Sequence, residues 1–311
     1  PANTECWRPS QPTLNQRNLN RWKLRRLGLP AWGCLLALVL GLSDAAAQSK
    51  MHLKISGVPL VLQSYQAWTA TTPWDKIEKF DAPNANRQTV ELILQMQALK
   101  AGGVDPEIEL ISAPNLERAL VEVEVGRVDL TAETMWDREI NETVLFKTDA
   151  VLRDGDFQKG LYVMPGNDRA LKATSLEDVH NLVGLTVATW AHDLDTLHDL
   201  GAKSIEKAPT SENMFLMLQK KRADFTLLEF SAKADLSTEL AGVTLVPVPN
   251  CKVILRGSRS WVVSKASPHA QQIYDALVKG EKILRDQGRI ERAFQESGFI
   301  NGKVSTWKRL N

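Results

Sequence analysis

Strand-like and helix-like segments alternate twice along this chain, and each round closes on nearly the same phrase. "GRVDLTAE" (126–133) and "KRADFTLLE" (221–229) each run basic residue, small apolar residue, aspartate, bulky apolar residue, threonine. The aspartates, Asp129 and Asp224, lie 224 − 129 = 95 residues apart. In the first round, "MHLKISGVPLVL" (51–62) reads as a strand, followed by a long connection that ends at Arg87. A helix over 88–103 carries Val90, Leu92, Ile93, Met96 and Leu99 on one broad face and stops at Gly102-Gly103. "DPEIELISA" is then a strand, "PNLERALVEVEVG" a helix and "RVDLTAE" a strand. The second round reads "LTVATW", "AHDLDTLHDLGA", "KSIEKA", "TSENMFLMLQKKR" and "ADFTLLE" in the same strand–helix order. This grammar predicts an α/β fold with two successive units of parallel sheet flanked by helices. Each helix ends in basic residues, which suit its carbonyl end. Each aspartate follows at the turn into a strand, where its carboxylate can accept backbone N–H groups. A structural role is therefore expected for both.

The connection between the rounds finishes with a strand, "GLYVMP", and a Ser-x-x-Asp cap that opens "SLEDVHNLVG". The tail supplies two strands, "CKVILRG" and "RSWVVSK", and two helices, "PHAQQIYDALVKGEKILRDQG" and "RIERAFQESGF". A length of 311 residues suits two lobes. Residues 1–47 hold six basic and two acidic side chains, which leaves 32 basic and 35 acidic beyond them, a net charge of −3. That balance gives no signal for nucleic acid as a partner. The basic run over 21–26, the short apolar stretch over 31–42 and Ala45-Ala46-Ala47 read as a cleavable secretory signal, with export to the periplasm. Cleavage after Ala47 would leave Cys251 as the one cysteine and no internal disulfide.

Four stretches carry a family resemblance: "ALVEVEVGRVDL", "DREINETVLFKTDAV", "SLEDVHNLVGLTVAT" and "ILRDQGRIERAFQESGF". In order and spacing the chain resembles the type II periplasmic solute-binding proteins, closest to family 3, the amino-acid type, over nearly all of 51–301. The resemblance implies a signal segment over 1–47, a first lobe from 48–165 and 262–311, a second lobe from 166–261, and a ligand cleft between them. It implies an exported binding protein that captures an amino acid or related zwitterion, without a cofactor, as a monomer serving an ABC-type membrane transporter permease.

The same resemblance places a carboxylate-binding arginine at Arg138, with the family's threonine displaced to Thr134. A guanidinium suits that task because it stays charged and grips a carboxylate through two parallel bonds. Pairing with Asp137 or Glu139 is the plain alternative. Glu229 falls where the family carries an acid for the ligand's ammonium, and a solvated strand-end glutamate is its alternative. Thr189 and His192 stand where the family has Gly-Thr-Thr, although His192 could simply cap its helix. Tyr65 and Trp68, in the expected loop after the first strand, and Trp136 and Trp190, beside the polar candidates, offer aromatic walls.

No Gly-x-Ser-x-Gly, His-Glu-x-x-His, phosphate loop or Cys-x-x-Cys is present. His192 and His198 are six apart on one helix, the wrong spacing to share a face for a metal ion. The expectation is a binding protein rather than an enzyme. Two rivals stand beside it. One is a degenerate member acting through a protein partner. The other is a dehydratase-like periplasmic enzyme that uses cleft carboxylates on the same fold.

Overall fold

A computed structural model describes residues 50–83 and 85–311, so the expected signal segment lies outside the described residues. The first round forms β1 (Met51–Gly57), α1 (Pro59–Thr69), α2 (Arg87–Gly102), β2 (Pro106–Ser112), α3 (Leu116–Glu124) and β3 (Leu130–Thr131). β4 (Met135–Trp136) and β5 (Leu145–Leu152) follow. The chain then enters β6 (Gln158–Val163), α4 (Asp168–Leu171) and α5 (Leu176–Val179). The second round is β7 (Val183–Val187), α6 (Ala191–Asp199), β8 (Ser204–Ala208), α7 (Ser211–Gln219) and β9 (Phe225–Glu229). A hairpin of β10 (Thr238–Leu240) and β11 (Val243–Pro247) precedes β12 (Cys251–Ile254) and β13 (Arg259–Ser264). The chain closes with α8 (Ala270–Asp286), α9 (Arg289–Glu296) and β14 (Lys308–Arg309).

The doubled sequence grammar produces a doubled topology. One sheet runs β2-β1-β3-β13-β4, with β5 also on β13, and the other contains β8-β7-β9-β6. In each, the first strand of the round pairs in parallel with both others, and an antiparallel strand from elsewhere completes the set. The repeated aspartates explain the repeated phrase. Asp129 N–H donates to Lys54 O at 2.9 Å, and Lys54 N–H donates back to the Asp129 carboxylate at 2.7 Å. Asp224 N–H donates to Val183 O at 2.8 Å, and Val183 N–H returns to its carboxylate at 2.9 Å. Each aspartate thus clamps the entrance of the last strand of its round to the first. The preceding helix ends turn through left-handed residues, Gly126 (φ 75°) and Lys221 (φ 58°), which swing the chain into that position.

Residues 59–69 correct the sequence reading, which had a strand running to 62 and a loop beyond. Pro59 occupies the first helical turn, where its missing N–H costs nothing, and starts α1. Tyr65 (4% exposed) and Trp68 (6%) therefore lie on a helix in the apolar core, Trp68 edge-on to Phe80. The hairpin β10–β11 was not foreseen either. It turns through Ala241 and Gly242, both at positive φ, as tight hairpins require.

α2 is buried on nearly every side, and α8 crosses it closely. A Cβ on Gly102 would lie 2.0 Å from Ala276 O, and one on Gly280 1.8 Å from Ala98 O, so both glycines let the two backbones meet. The chain leaves the first sheet through 153–157 and returns through 255–258, upstream of the boundaries expected at 165/166 and 261/262. β6 pairs with β9, β11 and β12, so residues 158–163 belong to the second sheet. β14 pairs with β12, so the tail also ends on the second sheet rather than in the first lobe. The two connections are laced together, Gly257 N–H donating to Asp154 Oδ1 at 2.8 Å. Apolar packing is continuous from Leu53 and Val263 through Trp136 and Phe157 to Leu161 and Phe225.

Candidate functional site

Charged side chains that leave water without a partner are costly, so a buried cluster of them marks a place where function constrains sequence. Such a cluster lies between the two sheets. Asn86 caps α2 by accepting from Thr89 N–H, and this fixes Arg87 at the helix's first position. Arg87 is 5% exposed. Its Nη1 donates to Glu91 Oε1 at 2.8 Å, one turn along the same face. Its Nε donates to Glu229 Oε1 at 2.9 Å, at the end of β9 in the second sheet. Its third carboxylate neighbour is Glu133, 3.6 Å from Nη2. The guanidinium carbon lies 5.1 Å from the Phe157 ring centre and 6.0 Å from that of Phe299. Burial opposes the charge, but Glu229, Glu91 and Glu133 together hold Arg87 above its ordinary range.

Arg259 opens β13 and is 3% exposed. Nε donates to Thr134 Oγ1 at 2.9 Å, and Nη2 donates to Thr134 O. Thr134 N–H in turn donates to Glu91 Oε2 at 3.0 Å. The Arg259 guanidinium lies 4.8 Å from the Trp136 ring centre. Among the described residues no carboxylate stands at ion-pair distance from Arg259, and burial, followed by the charge on Arg87, lowers its pKa. Glu133 is raised to about 7, by burial first and by Glu91 and Glu229, against the pull of Arg87 and Arg259. When Glu133 holds its proton, below about pH 7, the carboxylates of Glu91 and Glu229 face the two guanidiniums of Arg87 and Arg259.

A second buried pair joins β6 of the other sheet to α6. Lys159, paired across strands with Glu229, donates to Asp193 at 2.6 Å and lies 4.9 Å from the Trp190 ring centre. Burial raises Asp193 despite Lys159. His192 stacks on Trp136 with ring centres 3.8 Å apart, bringing the sheets together. Its Nδ1 is 3.1 Å from Arg256 O; because a carbonyl only accepts, that nitrogen carries the proton. Nε2 has no hydrogen-bond partner, and Glu139 lies 3.8 Å away. Burial, then Arg138, lowers His192 to about 4, so the ring is neutral at pH 7.

The structure brings Glu229, Thr134, Trp136 and His192 to this region. Thr134 is engaged at its N–H, hydroxyl and carbonyl by Glu91 and Arg259. Arg138 is half exposed and pairs with Asp195 of α6 at 2.6 Å, rather than with Asp137 or Glu139, the plain alternative to a ligand-binding role. Thr189 is exposed in the turn before α6. Tyr65 and Trp68 belong to the core described above. The sequence reading missed Arg87, Glu91, Glu133, Arg259, Lys159 and Asp193. One signal for the first two was available: an Arg/Glu pair at i,i+4 on a helix otherwise apolar on most sides. Among the described residues no group of three or more His, Cys, Asp or Glu is arranged to hold a metal ion, and no helix is long and apolar enough to cross a membrane.

Comparison with solved structures defines the class of fold. The chain is similar to the probable amino-acid ABC transporter extracellular-binding protein ytmK from Bacillus subtilis, with a TM-score of 0.54 and 14% identity over 80% of this chain and 97% of that one. It is also similar to substrate-binding domain 2 of GlnP from Lactococcus lactis in its open conformation, with a TM-score of 0.49 and 12% identity over 80% and 96% of the two chains. A third similar structure is the ancestral amino-acid-binding protein AncCDT-1, a precursor of cyclohexadienyl dehydratase, at 0.48 and 13% over 79% and 94%. No protein-family model matches the chain, and no curated protein matches it. The fold is the two-lobed type II periplasmic-binding arrangement, and the charge cluster lies between its lobes.

Proposed function

We propose that the chain is an exported solute-binding protein whose lobes, 50–152 with 259–301 and 158–254 with 302–311, close on a small polar solute that carries a carboxylate. The observation that carries this reading is Arg259: a buried guanidinium between the lobes, walled by Trp136, with no carboxylate at ion-pair distance among the described residues. Burying a charge without an ion partner costs on the order of several kcal/mol, which an incoming carboxylate would offset. In this reading Arg259 receives the solute's carboxylate, while Arg138 closes the rim with Asp195. The family resemblance implies an amino acid or related zwitterion, an ABC-type permease as partner and a periplasmic location. The Bacillus subtilis neighbour, a probable amino-acid ABC transporter extracellular-binding protein, supports that class.

A thermal-shift screen against amino acids and organic acids tests the reading, followed by calorimetry on Arg259→Gln and Arg138→Ala. A solute that raises Tm should lose at least tenfold in affinity with Arg259→Gln and far less with Arg138→Ala. The opposite ranking would return the carboxylate to Arg138. One observation favours a second reading, a chain that binds no solute and acts through a protein partner: Glu229 is already engaged by Arg87. A screen in which no compound stabilises the protein would support that reading over the first.

A further inference from the structure

Glu91 and Glu133 from one lobe and Glu229 from the other converge on a single point, with Phe157 as an aromatic wall. Two carboxylates in hydrogen-bond contact, a third carboxyl group beside them and a ring face are the surroundings that recognise an ammonium or a guanidinium. The group at that point is the chain's own Arg87. It is held rigidly, because it stands at the capped first turn of α2 and its i,i+4 partner Glu91 is fully buried and fixed by Thr134. The other guanidinium of the cluster, Arg259, bonds only to uncharged groups of Thr134. The place between the acidic side chains is thus filled in cis, while among the described residues Arg259 has no carboxylate at ion-pair distance.

We infer that Arg87 is a built-in occupant of the cation subsite, so that the solute is an organic acid lacking an α-amine. An α-ammonium entering beside Arg259 would meet Arg87 where Glu229 should receive it, and two like charges brought together in a buried site repel one another. The first half of the inference concerns the chain alone. The second half rests on the solute-binding reading, and the two halves are tested separately.

For the first half, Arg87→Ala vacates the subsite. Methylguanidinium at low millimolar concentration should raise the variant's Tm by several degrees above a potassium chloride control and leave the parent unchanged. The additional Glu229→Gln change should weaken that rescue at least tenfold in half-saturating concentration. If Arg87→Ala does not fold alone, the readout becomes its refolding yield with and without methylguanidinium. A response equal to the salt control, in Tm or in yield, overturns the assignment.

For the second half, calorimetry compares amino acids with their deaminated partners, such as L-glutamate with 2-oxoglutarate and L-leucine with 4-methyl-2-oxopentanoate. The parent should favour the 2-oxo acid of a binding pair by tenfold or more, and Arg87→Ala should shrink or reverse that ratio. A parent that favours the amino acid overturns the inference. Failure of every member of every pair to bind rejects both the solute-binding reading and the solute class drawn from it, while leaving the methylguanidinium result to stand for Arg87.

Discussion

Glu133 sets a pH dependence that one substitution can isolate. Its carboxyl is buried among Arg87, Glu91, Arg259 and Glu229 and is raised from an ordinary 4.5 to about 7. Between those values the native state keeps the proton after the unfolded chain has lost it. The contribution of the protonated group to stability is therefore complete below about 4.5 and is lost as pH rises through about 7. At about 1.4 kcal/mol per pH unit, the whole span is worth about 3 kcal/mol. Glu133→Gln keeps the shape and removes the titration. Urea denaturation of parent and variant at half-unit steps from pH 4 to 8 reads the difference directly. The variant should gain about 3 kcal/mol relative to the parent between pH 4.5 and 7.5, and stay level outside that window. With an m-value near 3 kcal/mol/M for a chain of this size, that is a midpoint shift of about 1 M. The parent alone would hide much of the effect, because His192 pulls the other way between 4.5 and 6.5. A difference that is flat across the range would refute the protonated Glu133 and the charge balance built on it.

Three other outcomes are expected. His192 is lowered from 6.5 to about 4, so its neutral form contributes stability that is present above 6.5 and lost as pH falls towards 4; His192→Gln should remove a loss of roughly 3 kcal/mol across that window, read by the same titration. Asp224→Ala should cost about 1–3 kcal/mol in urea, since it leaves a part-buried backbone N–H without its carboxylate, and Asp129→Ala less, about 0.5–1.5 kcal/mol, since the Lys54 N–H it frees is exposed to water. Gly280→Ala should cost about 3 kcal/mol or more and lower Tm, because its methyl would meet backbone of α2 rather than a side chain that can move.

The fold was legible because it rests on periodicity. The two strand–helix rounds, the Ser175 capping box and the clamping role of Asp129 and Asp224 are all local patterns that the structure repeats. Residues 59–69 were misread because "VPLVL" is rich enough in apolar side chains to imitate a strand, and only Pro59 signals the helix start. The charge cluster was harder to see for a different reason. Arg87, Glu133, Glu229 and Arg259 come from three elements and the bend after β3, spread over 172 residues (259 − 87), and only the closing of two sheets brings them together. A sequence shows that a residue is charged; it does not show that water has been excluded from around it. Glu229 was found through its offset from Asp224. Glu133 ends the other phrase one residue sooner, four beyond Asp129, and received no role.

The place of β13 in its sheet bears on how the chain must be made. It lies between β3 and β4, yet it leaves the ribosome some 128 residues after β3 (259 − 131). At ~5–20 residues per second that is a wait of roughly 6–25 s. During it, the bonding edge of β3 has no native partner. The second lobe has almost all its strands as soon as β12 emerges, before β13 does. The part of the molecule translated first therefore waits for a strand from near the far end of the chain, and its open edge is the surface that a chaperone would have to guard.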